Sequence, residues 1–183
     1  MNNLQKISII NIEGISLDDV LSHCDNKNWT DGEVAKSRYS SDTGSGTNKT
    51  IRDVNVSEMD AEIHVVLNNL IQPHVDKYAK DNNIKIYANT FYTIAKYSKG
   101  QFFTEHTDST PEFPRAISAI LYLNDDYEGG TLTFGKIGKT FKPKANTLFI
   151  FPSSDDFSHS ADPVIDGVKY VIVGFWSWYL MNF

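Results

Sequence analysis

Six stretches decide the fold: IKIYANTFYTIAKY (84–97), QFFTEH (101–106), AISAILYLN (116–124), GTLTFGK (130–136), NTLFIFPS (146–153) and VKYVIVGFWSWY (168–179). Each is rich in β-branched and aromatic residues. Turn-forming segments separate them: SKG, DDYEGG, KIGK, KPKAN and SSDD. Short strands at near-even spacing, with no helical stretch between them, point to an antiparallel sandwich or barrel rather than an α/β sheet. The expected fold is mainly β with flanking helices: a double-stranded β-helix, or jelly roll, with helices packed on one sheet. A single domain is expected over residues 1–183, with 88–183 as the jelly-roll core and 1–87 as helical and strand support carrying a lid loop.

The first half mixes helix and strand. Ser16 opens SLDDV with Asp19 three residues on, a capping-box pattern that starts a short helix to about Cys24. Ser57 opens SEMDAEIHVVLNNLIQPHVDKYAKD, in which Ile63, Val66, Leu67, Leu70, His74 and Tyr78 recur at steps of three and four. That spacing predicts one apolar helix face laid on a sheet. Pro73 is expected to kink or split the helix near Gln72. Between the helices, Ser40–Thr50 is polar and carries Gly44 and Gly46, which reads as a mobile loop. A long loop inside a compact domain is often a lid or binding loop, and residues 40–50 are the lid candidate. GSGTNKT, within it, fails as a phosphate-cradling loop because Asn48 stands where a glycine should precede Lys49.

The chain has 183 residues, enough to bury a core without staples. Its 17 basic and 23 acidic residues give a net charge of −6. That balance argues against holding nucleic acid by neutralising phosphates and against a polybasic membrane-surface binder. Neither a nucleic acid nor a membrane is an expected partner. Cys24 is the single cysteine, so no intrachain disulfide can form and a reducing compartment is favoured. The start, MNNLQKISIINIEG, lacks a basic segment followed by a long apolar run, and the longest apolar stretch, 170–180, is too short to span a bilayer. A cytoplasmic location is the expectation that follows.

His23, His64 and His74 fall in the helical half and read as ordinary helix residues; His106 and His159 fall among the strands. Asp108 follows His106 by two, and positions i and i+2 of a strand point to one face. If the fold brings His159 beside them, two imidazoles and one carboxylate form a facial triad with three open positions, the ligand set of non-haem Fe(II) oxygenases. H-x-D alone is a weak motif, but its surroundings strengthen it. Lys169 stands ten residues after His159 at the head of KYVIVGFW. An ammonium sits badly at the start of so apolar a strand unless an anion partners it, and a bound dicarboxylate would do so.

These residues match a known pattern. YSKGQFFTEHTD (97–108), RAISAILYLNDDYEGGTLTF (115–134), FPSSDDFSHS (151–160) and Lys169 resemble the 2-oxoglutarate- and Fe(II)-dependent dioxygenases, and more narrowly their prolyl 4-hydroxylase branch. The resemblance covers 88–179, about half the chain. It implies that His106, Asp108 and His159 hold Fe(II) at the catalytic centre. It implies that Lys169 pairs with the distal carboxylate of 2-oxoglutarate, through a point charge rather than the planar fork of an arginine. Tyr122 would hydrogen-bond the same carboxylate, and Tyr97 would line the cosubstrate or substrate pocket. Arg115 matches the arginine that opens the YLN strand, its role open. Branch members often carry a tryptophan six residues after the basic one; here Phe175 stands at six and Trp176 at seven, so which ring lines the pocket is open.

Parity sets a condition independent of the family. Tyr122 shares a strand face with Ser118 and Ile120, opposite Ala119, Leu121 and Leu123. It can face a barrel interior only if that apolar trio packs outward. In the last strand Lys169, Val171, Val173 and Phe175 share a face.

The activity implied by the resemblance is hydroxylation with O2, releasing succinate and CO2 from 2-oxoglutarate, with room for ascorbate as a reductant. The implied partner is a peptide or protein carrying the acceptor residue, proline first. A free amino acid or another small molecule remains open, because one fold hosts many substrates. Two rivals stand outside this class: a non-enzymatic jelly-roll binding module, and a cupin-like metalloenzyme that uses another metal and no keto acid. The binding module leaves the joint occurrence of His106, Asp108, His159 and Lys169 unexplained.

Overall fold

The computed structural model describes residues 3–24, 29–36, 40, 42, 44–89 and 91–178. The first half runs β1 (Ser8–Asn11), α1 (Leu17–Ser22), β2 (Thr30–Asp31), β3 (Glu33–Ala35), β4 (Ser45–Thr47), β5 (Arg52–Asp53), β6 (Asn55–Ser57), α2 (Ala61–Asp81), β7 (Ile86–Asn89) and β8 (Thr93–Tyr97). The second half is strands and short turns: β9 (Phe102–His106), β10 (Arg115–Tyr122), β11 (Glu128–Gly129), β12 (Leu132–Phe134), β13 (Lys139–Phe141), β14 (Thr147–Pro152), β15 (His159–Ala161), β16 (Val164–Asp166) and β17 (Lys169–Trp178).

Local chemistry sets the helix ends. Ser16 and Asp19 close a reciprocal capping box: the Ser16 hydroxyl accepts from the Asp19 N–H, and the Asp19 carboxylate accepts from the Ser16 N–H. The helix stops at Ser22, short of Cys24. α2 does not start at Ser57, which belongs to β6. Asp60 caps it, accepting from the N–H groups of Glu62 and Ile63. Nor does Pro73 split it: α2 is one helix of 21 residues. Pro73 removes the N–H that would bond the Asn69 carbonyl, but both residues are exposed, so the freed carbonyl lies on the solvent side. The buried face also differs from the expected one. Ile63, Leu67, Ile71, Val75, Tyr78 and Ala79 are buried, whereas Val66 is exposed and Leu70 and His74 are half-buried.

Among the described residues the strands form two larger antiparallel sheets and two two-stranded ones, β11-β16 and β3-β4. Of the larger pair, one has the order β1-β14-β10-β17-β8-β6-β2, with β7 paired to the far end of β17; the other has the order β13-β12-β15-β9-β5. The first half thus supplies more than support, because β1, β2 and β6 extend one sheet and β5 the other. The segment read as a mobile loop holds a strand: β4 pairs with β3, Val34 opposite Gly46, as a hairpin. Of the span 40–50, residues 41 and 43 lie outside the described residues.

Alternation sorts the side chains of the largest sheet into two cores. Outward, Ala119, Leu121, Leu148, Ile150, Ile172 and Trp176 pack with α1 and α2 through Val20, Leu67, Ile71 and Val75. Inward, Ile120, Tyr122, Phe149, Phe151 and Val171 face Leu132, Phe134 and Val164 of the opposing strands. The parity condition on Tyr122 is met: Ala119, Leu121 and Leu123 lie in the helix-side core and Tyr122 in the other. Trp176 fixes the helix layer further by donating its indole N–H to the Gln72 side chain at 2.9 Å. No described helix is long and apolar enough to cross a membrane.

Leu67→Ala should lower unfolding free energy by about 2–5 kcal/mol, because it opens a cavity in the helix–sheet core. Val66→Ala, one position along on the exposed face, should change it by less than about 0.5 kcal/mol. Denaturant unfolding of both variants checks the observed rotation of the helix face.

Candidate active site

His106 ends β9, His159 begins β15, and the two are cross-strand partners, so their rings meet with centroids 4.4 Å apart. The pairing then shifts: Phe103 stands opposite Ala161, three steps along β9 against two along β15. This bulge breaks the alternation of β9 and turns Phe103 and His106 to the same side. Their rings stack at 3.5 Å with an interplanar angle of 11°.

Asp108 lies beyond the end of β9, so strand parity does not place it. Ser118, from the middle of β10, does: its hydroxyl donates to Asp108 Oδ2 at 2.6 Å and lies 2.7 Å from Ser153 Oγ. Asp108 Oδ1 is 3.5 Å from His106 Nε2, and Oδ2 is 3.7 Å from His159 Nε2. Those gaps are too long for hydrogen bonds, yet the three ligand atoms all lie within 4.8 Å of one another. Each histidine turns Nδ1 to a backbone carbonyl, His106 to Thr104 at 2.8 Å and His159 to Phe157 at 3.1 Å. A carbonyl only accepts, so Nδ1 carries a proton in both rings and each Nε2 is turned toward Asp108.

The electrostatics agree with a metal-binding arrangement. All three residues are buried. Burial, reinforced by His159, pushes the His106 imidazole down to about 4, against the pull of Asp108. Burial works to raise the Asp108 carboxyl, but His159, His106 and Arg115 hold it well below the usual carboxylate range. Near neutral pH the site therefore keeps a neutral imidazole at His106 and an ionised carboxylate. Two imidazole nitrogens and a carboxylate oxygen fit a first-row divalent ion with open positions.

Beyond the triad the cavity, of about 980 Å³, runs along the inner face of β17 and β8. Lys169 is 1% exposed and faces Tyr97 across the two strands, its Nζ 4.3 Å from the Tyr97 ring centroid. It donates to the Gly130 carbonyl at 3.0 Å. No Asp or Glu lies within ion-pair distance of Nζ among the described residues. Burial lowers its pKa to about 7, with Asp162 resisting at longer range. A buried ammonium with two N–H bonds uncommitted fits one carboxylate of a small dicarboxylate. Tyr97 and Tyr122 line the same cavity. Burial raises both hydroxyls above the ordinary phenol range, so each stays a donor.

The remaining open readings resolve. Phe175 lines the cavity, whereas Trp176 packs under the helices. Arg115 owes its place to a second bulge: it pairs with Ser177 and Ile117 pairs with Trp176, two steps on β10 against one on β17. Without that bulge Arg115 would share the outward face of Ile117 and Ala119. Instead its guanidinium stacks 3.6 Å from the Phe175 ring centroid and Nη1 donates to the Asp108 carbonyl at 3.2 Å. Ser118 and Phe103 were missed from sequence. Ser118 had a signal, as the lone hydroxyl in AISAIL on the face of Tyr122; Phe103 had none, because its orientation depends on a bulge. His23 pairs with Asp60 and His64 stacks on Tyr92, far from this chemistry in role.

The 2OG-Fe(II) oxygenase superfamily model matches residues 92–177, which hold the triad, Lys169, Tyr97 and Tyr122. An inferred prolyl 4-hydroxylase of Acanthamoeba polyphaga mimivirus is 23% identical over 154 residues, covering 73% of this chain and 61% of that protein. A PKHD-type hydroxylase of Prochlorococcus marinus (strain NATL2A) is 38% identical over 90 residues, 45% of this chain and 39% of that one. The chain thus spans less than two thirds of the length of these curated relatives. Among solved structures, a Trichoplax adhaerens prolyl hydroxylase in complex with a hypoxia-inducible-factor peptide fragment shares the fold, with a TM-score of 0.75 and 20% identity over 96% of this chain and 84% of that one. Sequence match, jelly-roll fold and the His-Asp-His cluster together make residues 92–177 similar to the 2OG-Fe(II) oxygenase superfamily, with a prolyl 4-hydroxylase and PKHD-type hydroxylases among the similar proteins.

Proposed function

We propose that the chain is a hydroxylase that uses Fe(II), 2-oxoglutarate and O2 on a peptidyl residue, proline first, with succinate and CO2 as co-products. One observation carries the reading: His106, Asp108 and His159 converge at one end of a cavity in which Lys169 is a buried cation short of a counter-charge. In this reading the triad holds the metal and Lys169 takes the distal carboxylate of 2-oxoglutarate. Tyr122 adds a hydroxyl donor to that carboxylate, and the Tyr97 ring walls the pocket beneath the ammonium. Bound there, the metal and keto acid supply the oxidising power for C–H hydroxylation.

The protein's residues do the holding. The two Nδ1–H bonds to backbone fix how each imidazole faces the site, and Ser118 fixes Asp108. The aromatic wall of Phe134, Phe151 and Phe103 around the histidines keeps bulk water from the ligand atoms. The β3–β4 hairpin contributes Glu33, Val34, Ser45 and Thr47 to the cavity mouth, which supports the lid reading of this segment. The acceptor class rests on the prolyl hydroxylase relatives, one of which was solved with a peptide, and on a cavity large enough to admit an extended segment. A free amino acid or small molecule is the second reading, favoured by the PKHD-type hydroxylases only in that their names give no acceptor. With a single, buried Cys24 and no described membrane helix, we place the reaction in the cytoplasm as part of the same proposal.

Anaerobic addition of Fe(II) and then 2-oxoglutarate should raise a weak visible charge-transfer band, which neither a binding module nor a cupin-like site would give. His106→Ala and His159→Ala should each abolish it. Ser118→Ala, which strips the hydroxyl donor from Asp108, should weaken metal binding by about tenfold or more. Lys169→Ala should raise the 2-oxoglutarate requirement by more than about tenfold, and an unaltered requirement would contradict its role. Mass spectrometry of candidate peptides, proline-rich first, should show a gain of one oxygen.

Lys169 also makes cosubstrate binding depend on pH. Its folded pKa is lowered to about 7, so in the unliganded site the ammonium is charged below that value and increasingly neutral above it. The affinity for 2-oxoglutarate should fall as pH rises from about 7 toward 9, and binding at pH 8 should take up a proton, because the carboxylate pulls the ammonium pKa back up. Calorimetry in buffers of different ionisation enthalpy measures that uptake. Lys169→Arg, always charged, should remove it.

A further inference from the structure

Arg52 stands in β5 directly opposite Phe103 of β9, in the wall of the cavity. Its Nη1 donates to the backbone carbonyl of Glu33 in β3 at 2.5 Å, so it grips the β3–β4 hairpin by main chain rather than by a replaceable side chain. Its Cζ lies 5.0 Å from the Phe103 ring centroid. Gly32, just before β3, makes the room for this: a Cβ there would fall 2.9 Å from Arg52 Nε and 2.6 Å from Val54 Cγ1. The Nε–H itself is buried and has no acceptor among the described residues, so the Nη1 bond to the hairpin is the hydrogen bond that holds this guanidinium.

Phe103 then lies flat on His106, centroids 3.5 Å apart. At its edge that imidazole is restrained by Nδ1 bonding the Thr104 carbonyl, and the His159 ring lies 4.4 Å away between centroids. The face of Phe103 packs flat on the His106 ring and so helps to hold its plane, and the guanidinium and β5 flank Phe103. An unbroken line of contacts runs from the hairpin at the cavity mouth to one of the triad histidines.

We propose that Arg52 is a positioning residue that couples the β3–β4 hairpin to the orientation of His106 through Phe103. The proposal rests on the metal-centre reading of the triad. What seats beneath the hairpin is thereby linked to how the His106 lone pair addresses the metal, without a direct contact between hairpin and ligand.

The test is a double-mutant cycle on the full chain, read with Co(II) alone by its visible absorption and dissociation constant, with no cosubstrate or turnover. Arg52→Met and Phe103→Leu should each weaken Co(II) binding by about tenfold and change the absorption envelope. In the Phe103→Leu background, Arg52→Met should add almost nothing. Hydrogen exchange of the hairpin amides should speed up in Arg52→Met. If Phe103→Leu does not fold, Phe103→Met replaces it as the second background, in which Arg52→Met should again add almost nothing. Wild-type Co(II) affinity and absorption in Arg52→Met, or an equal loss in both backgrounds, overturns the coupling. A wild-type chain that binds neither Co(II) nor Fe(II) sinks the metal-centre reading instead. The coupling is then judged on the His106 ring resonances of the metal-free chain, which Arg52→Met must move and whose constancy overturns it.

Discussion

The structure depends on strict two-sidedness in β14, β10 and β17. These three central strands carry apolar side chains on both faces, but of two kinds. Leu148, Ile150, Ala119, Leu121 and Ile172 turn to the helices, while Phe149, Phe151, Tyr122 and Val171 turn to the opposite sheet. The helix-side core excludes water from one face, and so lets the other be interrupted by polar groups. Ser118 and Lys169 sit on that second face, and the triad faces it from β9, β15 and the segment after β9. Burying Lys169 and Asp108 opposes folding, and the surrounding apolar contacts offset it.

Within that frame the site is built by departures from regularity. A flat ladder would send His106 and Phe103 to opposite faces, and Arg115 to the helices; one extra residue in β9 and one in β10 send them inward. Asp108 follows the end of a strand and takes its position from a serine on a neighbouring strand. The two histidines are cross-strand partners at the edge of the β9 bulge.

This division explains what the sequence made legible. Strand identity, antiparallel class, the capping box at Ser16 and the parity condition on Tyr122 all follow from composition and period two, which are local properties. The triad and Lys169 were found because their spacing matches a family pattern, not because geometry could be computed from it. The start of α2 was misplaced because Ser57 and Asp60 are both good caps and only tertiary pairing of β6 chooses between them. Its buried face was misjudged because Val66 and Leu70 are as apolar as Ile71 and Val75, and the sheet beneath selects the latter pair. Ser118 was readable in principle. Phe103 was not, since a bulge leaves no mark in residue type, and Arg52 was not, since only the pairing of β5 with β9 sets it opposite Phe103.

The two bulges make chain length, rather than residue type, the quantity this site tolerates least. Removing one residue at Thr104–Glu105 would leave every ligand-bearing side chain present in the polypeptide, yet would swap which of them look into the barrel. An insertion or deletion inside β9 or at the head of β10 would silence the centre while leaving its motif intact to the eye.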